Sequence, residues 1–247
     1  MTEKKHIELN SIVQKQYNKL DFLEDELENA FQYLKYYMPD FNIPEVYTYI
    51  SGYDFENPIQ LNEKALIIAL DLYLGNDHKA YSEFGIPQYV SSRFTKEHIC
   101  IDCIKEYYRA FFENRFIPKN FLDEIIQNAK SVYFTDIIFP FKEDHLKIGY
   151  SKEQLEWCEQ NEKNLWTFFI EKNVLYSADY EVIRKFTKDG PFTISISRDA
   201  PAKLGIWIGW QIIRSYMEKN PEIKLSDLMT ETDSQKILKL SGYKPGK

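Results

Sequence analysis

The first forty residues carry a helical pattern of apolar and polar positions. From Ser11 to Met38, apolar residues recur at spacings of three and four, while acidic residues occupy the other faces. This pattern predicts one long amphipathic helix that Pro39 ends. Two runs of strand length follow, EVYTYISGYDF and KALIIALDLYL, and the second is apolar enough from Ala65 to Leu72 to be central in a sheet.

The rest of the chain shows mainly helical patterns, separated by glycine and proline. Helices are predicted from near Thr95, from Pro118 to about Phe139, and across the glycine-bearing run LGIWIGWQIIRSYM. SKEQ at Ser151 and TDSQ at Thr232 have the form of capping boxes, which open two further helices. Polar connections are predicted at 75–90 and through DGPFT and SRDAP. The sequence therefore predicts a single α+β domain over 1–247, mostly helical with a small sheet.

Composition and charge narrow the classes of function. Eighteen tyrosines and seventeen phenylalanines favour an aromatic core with tyrosines at its edges or along a cleft. A net charge of −7 argues against nonspecific nucleic-acid binding, which needs cations to neutralise phosphates. The three cysteines, Cys100, Cys103 and Cys158, make an odd count without the density of a disulfide scaffold, so buried free thiols are expected.

One predicted helix has the polarity of a site. His98 and Asp102 lie four residues apart, so they project from adjacent turns of one face, as the two histidines of an H-E-x-x-H zinc helix do. Ile99 stands where that motif has its general base, and an aspartate replaces the second histidine. We therefore expect no catalytic residue, metal ligand or cofactor here, and we keep zinc bound by His98 and Asp102 as the alternative.

Gly205 and Gly209 interrupt a helix that is apolar nearly all round. Glycine inside a helix costs about 1 kcal/mol relative to alanine, so close approach of a neighbouring backbone is expected, and we expect that neighbour to be the helix carrying His98. The other side of the glycine helix presents Trp207, Trp210 and Arg214. Together with His98 and Asp102, these three residues are the candidate lining of a binding cleft.

Several long strings give the chain a family resemblance. The strings are LDLYLG (70–75), GIPQYVSSRF (85–94), KIGYSKEQLEWCEQNEKNLWTFFIEKNVLYS (147–177), GPFT (190–193), GIWIGWQIIRSYMEKNP (205–221) and TDSQKILKLSGYKP (232–245). From about Pro44 to the C-terminus the chain resembles the gliding motility lipoprotein B (GldB) family of Bacteroidetes, and 1–40 is the less similar N-terminal helix packed on this region.

The resemblance implies a lipoprotein of the cell envelope, on the periplasmic side of a Gram-negative membrane and associated with the gliding machinery in motile members. It implies no enzymatic activity. The sequence shows no apolar signal segment ending in a lipidated cysteine, so we expect either that such a segment has been trimmed or, if the given start is native, a cytoplasmic protein. Membrane contact is expected only through the lipid anchor.

A more distant similarity is to predicted gluzincin-type zinc peptidases. In that comparison 95–112 takes the place of the zinc helix and 164–170 that of the second ligand-bearing helix, where NLW replaces the expected E-G. The similarity implies a zincin-like arrangement that has lost the peptidase site.

Three hypotheses for function follow. The first is a non-catalytic scaffold or binding component of a gliding or surface-secretion assembly, with an envelope protein or a glycan as partner. The second is an atypical zinc metallopeptidase using His98, Asp102 and a remote carboxylate such as Glu171. The third is a glycan-binding protein, in which Trp207 or Trp157 stacks on sugar rings.

Overall fold

A computed structural model describes residues 3–113 and 117–246 of the chain. The chain divides into two compact units, the first ending at Ala110 and the second beginning at Phe111. The prediction of a single domain stays a prediction. The strands are β1 (Glu45–Tyr49), β2 (Ile59–Leu61) and β3 (Ala65–Ala69). The helices are α1 (Glu3–Gln16), α2 (Asp21–Tyr37), α3 (Lys79–Glu83), α4 (Gln88–Ser91), α5 (Ile99–Phe112), α6 (Phe121–Ile138), α7 (Asp144–Ile148), α8 (Lys152–Glu171), α9 (Tyr180–Thr187), α10 (Leu204–Lys219), α11 (Leu225–Thr230) and α12 (Ser234–Ser241).

The prediction of one long N-terminal helix is wrong, because α1 and α2 are separate helices. The chain breaks between Tyr17 and Leu20, and the buried hydroxyl of Tyr17 donates a hydrogen bond to the carbonyl of Tyr73. The Gln16 amide donates to the same carbonyl at 3.2 Å. The apolar spacing continues through the break because both helices bury one face, so the periodicity alone does not reveal it.

The sheet confirms the two predicted strands and adds a third. Its order is β1-β3-β2, so β3 is central as predicted, and β1 runs parallel to it with Glu45 opposite Ala65. The antiparallel β2 was missed, because a three-residue strand is too short to show an alternating pattern. Residues Leu70–Leu72, expected at the end of the strand, form a 3₁₀ turn instead.

A buried carboxylate organises the loop after β1. Asp71 is fully buried and accepts hydrogen bonds from the backbone N–H groups of Ser51 (2.8 Å) and Tyr53 (2.7 Å) and from the Ser51 hydroxyl. These bonds hold Tyr53 in the left-handed region at φ 67°. Asp71 therefore ties this loop to the turn that follows β3.

In the second unit, α10 packs principally on α6. A Cβ built at Gly209 would overlap the backbone carbonyl of Ile125, and one at Gly205 would lie 2.8 Å from the Ile125 side chain. The predicted close approach is confirmed, but the predicted neighbour, the helix carrying His98, is wrong, because the helix that makes the approach is α6.

The structure confirms an α+β fold that is mostly helical with a small sheet, whereas the zincin-like arrangement stays a prediction.

The capping box at Ser151 is confirmed, with Gln154 as its reciprocal partner. The second box is wrong by one residue, because Asp233 caps α12 by accepting from the Lys236 N–H. Short helices were missed in the connections; they are α3, α4, α7, α9 and α11. In the part of the chain described, no helix is long and apolar enough to cross a bilayer.

Candidate functional site

His98 and Asp102, proposed from sequence as a site, both lie in the first unit. His98 ends a 3₁₀ turn directly before α5 and is only 5% exposed, and its Nδ1 lies 3.0 Å from the hydroxyl of Thr95. The carboxylate of Asp102 accepts a hydrogen bond from the Tyr73 hydroxyl at 3.0 Å. Burial, with the Asp102 charge, raises the pKa of Tyr73 well above its ordinary value. Both residues thus take part in local hydrogen bonding within this unit.

The three cysteines are buried free thiols, as predicted. Burial raises the pKa of the Cys103 and Cys158 thiols well above their ordinary value, so both remain protonated at neutral pH. Within residues 3–113 and 117–246, no three or more His, Cys, Asp or Glu side chains gather closely enough to hold a metal ion.

Trp207, Trp210 and Arg214 all lie on α10 in the second unit, but only Arg214 reaches the surface. Trp207 is in the core, and its indole N–H has no hydrogen-bond partner among the described residues. Trp210 is fully buried, and the Arg214 guanidinium stacks over its ring with 3.9 Å between the guanidinium carbon and the ring centroid. The stacking follows from the helix, because residues four apart lie on one face.

Arg214 is the centre of a network of charged side chains from three helices. Its Nε donates to Asp136 at 2.8 Å, and its terminal nitrogens donate to the two oxygens of Asp144 at 2.6 and 2.9 Å. The Trp210 indole N–H also donates to Asp136, at 3.3 Å. The bidentate geometry with Asp144 fixes the plane of the guanidinium.

Lys147 completes this network from α7. Its ammonium lies 2.6 Å from Asp136 and 3.1 Å from Asp144, so two cations face two carboxylates. Burial raises the pKa of Asp144, but the hydrogen bonds and charges of Arg214 and Lys147 outweigh it and hold that pKa below its ordinary value. For Arg214, burial lowers the pKa of the guanidinium, but the hydrogen bonds to Asp144 and Asp136 more than compensate. The pKa of Arg214 is therefore raised above its ordinary value. The network is therefore charged on both sides and electrically balanced.

An open pocket of about 480 Å³ adjoins this network. Asp136 and Arg214 form one wall, and Glu218 adds a second carboxylate. The other walls are mostly apolar side chains from α6, from α10 and from the segments that follow these two helices. These lining residues are Tyr133, Ile137, Pro140, Met217, Pro221 and Ile223. The pocket thus combines an apolar surface with one fixed cation and flanking acidic groups.

The chain was also compared with known proteins. The family model of the gliding motility protein GldB matches residues 1–245. The chain belongs to the GldB family. The GldB match includes the N-terminal residues before Pro44, which the sequence resemblance left out. Neither a curated protein nor a solved structure gave a significant match.

In this GldB chain, sequence reasoning found Trp210 and Arg214 but missed their partners. These partners lie on α6 and α7, and they are Asp136, Asp144 and Lys147. Each is a charged residue among both polar and apolar neighbours, so no local motif marks it. One available signal was the spacing of Asp144 and Lys147, which puts opposite charges on one face of a short helix. That His98 and Asp102 line one binding cleft together with Arg214 stays a prediction.

Proposed function

We propose that the protein is a non-catalytic component of the cell envelope that acts as a scaffold or binding component of a gliding or surface-secretion assembly. Membership of the GldB family supports the link to gliding motility. The lipid anchor and the periplasmic side of the membrane belong to this proposal, because a lipoprotein is what the family resemblance implies.

The observation that carries the binding role is the balanced network around Arg214. A carboxylate that serves as a general acid needs a pKa near the working pH, whereas the pKa of Asp144 is held below its ordinary value. The cations that hold it are themselves fixed by two carboxylates. This arrangement suits a rigid, charged rim for recognition better than proton transfer.

A segment of another protein fits the adjoining pocket better than a glycan does. Sugar rings are usually held by accessible aromatic faces, whereas Trp207 is buried and Trp157, the other tryptophan considered for stacking, does not line the pocket. The pocket instead offers aliphatic side chains such as Met217 and Ile223 beside the Arg214 network. Apolar anchors with a few charged groups at the rim are typical of protein interfaces.

The test is complementation of a strain in which the gene has been deleted. The deletion is expected to abolish movement or secretion at the cell surface, and the wild-type gene is expected to restore it. Ile223→Arg places a charge in the pocket and should fail to restore the phenotype. Ile194→Arg, a change at an exposed isoleucine that does not line the pocket, should restore it.

Both variants are first compared with wild type for abundance and for recovery in the membrane fraction. A deletion strain with normal surface movement and secretion would overturn the assembly role. Full complementation by Ile223→Arg would overturn the assignment of the pocket. If the wild-type protein binds a polysaccharide from a test panel and Ile223→Arg does not, the partner at the pocket is a glycan and the proposal of a protein segment is wrong.

A further inference from the structure

The outer edge of the small sheet is an uncovered strand. Strand β1, with the sequence EVYTY, lies at the end of the strand order, and four of its five residues are exposed. The side chains of Val46 and Tyr47 are 39% and 52% exposed. Its β-branched and aromatic residues favour strand pairing, and it contains no lysine, proline or bulge of the kind that usually protects an edge.

The register with β3 determines which backbone groups point outward. The N–H of Glu45 donates to the Lys64 carbonyl at 2.8 Å, so Glu45, Tyr47 and Tyr49 direct their backbone groups toward β3. Residues alternate along a strand, so Val46 and Thr48 direct their N–H and C=O groups away from the sheet. Within the described residues, these outward groups have no hydrogen-bond partner.

We propose that this edge binds a second copy of the same chain, with the two β1 strands antiparallel about a two-fold axis at Tyr47. In this register Val46 of each copy lies opposite Thr48 of the other. Residues directly opposite in this way exchange both of their hydrogen bonds, so every outward N–H and C=O of Val46 and Thr48 is used. The sheets of the two copies then form one continuous sheet.

Charge and side-chain packing support this register. Glu45 lies opposite Tyr49 of the other copy, so the two Glu45 carboxylates are separated by four residues, or about 13 Å along the strand. Val46 faces Thr48, which makes a β-branched pair, and the two Tyr47 rings meet at the axis. A slip of one residue would reverse the faces and lose this matching.

The same residues limit the length of the pairing. Pro44 occupies the next outward position before Val46 and has no N–H to donate. In the two-fold register Pro44 lies opposite Ile50 of the other copy, so the missing N–H limits the ladder at both of its ends. The ladder is therefore short, which predicts a dimer that dissociates on dilution rather than a permanent one.

Cross-linking tests the register directly. In the proposed pairing, the two Tyr47 Cα atoms are about 4.5 Å apart in a non-hydrogen-bonded pair, within the range for a disulfide. Tyr47→Cys should therefore give a covalent dimer under mild oxidation, whereas Glu45→Cys, about 13 Å from its copy, should not. The native cysteines are buried, so the background is low.

Sedimentation of the protein over a range of concentrations gives an independent measurement. Thr48→Pro removes the outward N–H but leaves the bonds to β3, so it should weaken the dimer at least about tenfold. Thr48→Val keeps the backbone donor and should dimerise as wild type does. Thermal melting establishes whether each variant is folded. If Thr48→Pro does not fold, the cross-linking of Tyr47→Cys is the deciding test.

Three results would overturn the proposal. One is a wild-type protein that stays monomeric at all concentrations together with no Tyr47→Cys cross-link, which would leave the edge for a strand of another protein. Another is equal cross-linking of Tyr47→Cys and Glu45→Cys. The third is a dimer of unchanged affinity in a folded Thr48→Pro variant, which would place the interface elsewhere.

Discussion

Gly209 of α10 lies directly against the backbone carbonyl of Ile125 in α6. The two helices approach so closely that any side chain at Gly209 meets the main chain of the neighbour, which cannot rotate away. Gly209→Ala is therefore expected to lower the free energy of unfolding by roughly 1–3 kcal/mol, even though alanine gains about 1 kcal/mol in helix propensity. Urea unfolding measures this difference, and Gly209→Leu should be more severe.

Gly190→Ala is the matched control for this prediction, because nothing lies within 4 Å of a Cβ built there. Its free energy of unfolding should stay within about 0.5 kcal/mol of wild type. Equal stability of Gly209→Ala and wild type would show that the two helices can separate without cost.

Asp144→Asn should change how stability depends on acid. The pKa of Asp144 is below its ordinary value of 3.8, so its stabilisation is present above about pH 4 and is lost as the pH falls through the lower, folded-state pKa. At pH 7 the variant should be less stable by roughly 1–2 kcal/mol, because charge-assisted bonds to Arg214 and Lys147 are lost. Urea unfolding at pH 7 and at pH 2 measures the difference in the free energy of unfolding between wild type and variant, and this difference should be smaller at pH 2. Asp199→Asn, at an exposed carboxylate, should have the stability of wild type at both pH values.

Lys130 should make the free energy of unfolding depend on pH at the alkaline end, because burial disfavours its charged form in the folded chain. Its side chain is fully buried, and its ammonium donates to the Glu231 carbonyl. Burial lowers the pKa of Lys130 to about 8, against the opposing effect of the Glu231 charge. Between about pH 8 and the ordinary lysine pKa of 10.5, the unfolded chain binds the proton that the folded chain releases, so stability should rise with pH.

The measurement is the difference between wild type and Lys130→Met across this pH range, because other groups also titrate there. Wild type should gain roughly 3 kcal/mol relative to the variant between pH 7 and pH 10.5, from about 1.36 kcal/mol for each unit of pKa shift. Lys185→Met, at an exposed lysine, should follow wild type. A pH-independent difference for Lys130→Met would contradict the lowered pKa.

We expect the protein to be isolated without stoichiometric zinc. Zinc is usually held by three or four protein ligands, and among the described residues no three His, Cys, Asp or Glu side chains gather closely enough to hold a metal ion. Metal analysis of protein purified without chelator tests this expectation, with His98→Ala as the comparison. One zinc ion per chain that disappears in His98→Ala would restore the metallopeptidase hypothesis.

The sequence predicted those parts of the fold that depend on residues close together along the chain. The central position of β3 followed from an uninterrupted apolar run, and the start of α8 followed from the reciprocal bonds of Ser151 and Gln154. The close approach at Gly209 followed from the cost of glycine in a helix. The neighbour itself was predicted wrongly, because nothing in the glycine spacing identifies which helix fills the space.

The charged site was harder to predict, because its members are brought together only by the packing of helices. Asp136 is more than seventy positions from Arg214 in sequence, and no spacing of charges along either helix identifies the other residue as its partner. Asp71 is easier to recognise in the sequence, as one carboxylate inside the apolar run LDLYL, but its burial was not predicted. Such a residue must be either exposed or fully hydrogen-bonded, and the structure shows the second.

The buried thiols have a consequence for how this chain matures. Cys100 and Cys103 are close enough in sequence to pair in an unfolded chain, but in the folded protein both are enclosed as thiols. In an oxidising compartment, folding and oxidation would therefore compete for the same cysteines, and the chain that folds first is protected. Reducing conditions during refolding should accordingly raise the yield of native protein, while the finished fold needs no reductant to persist.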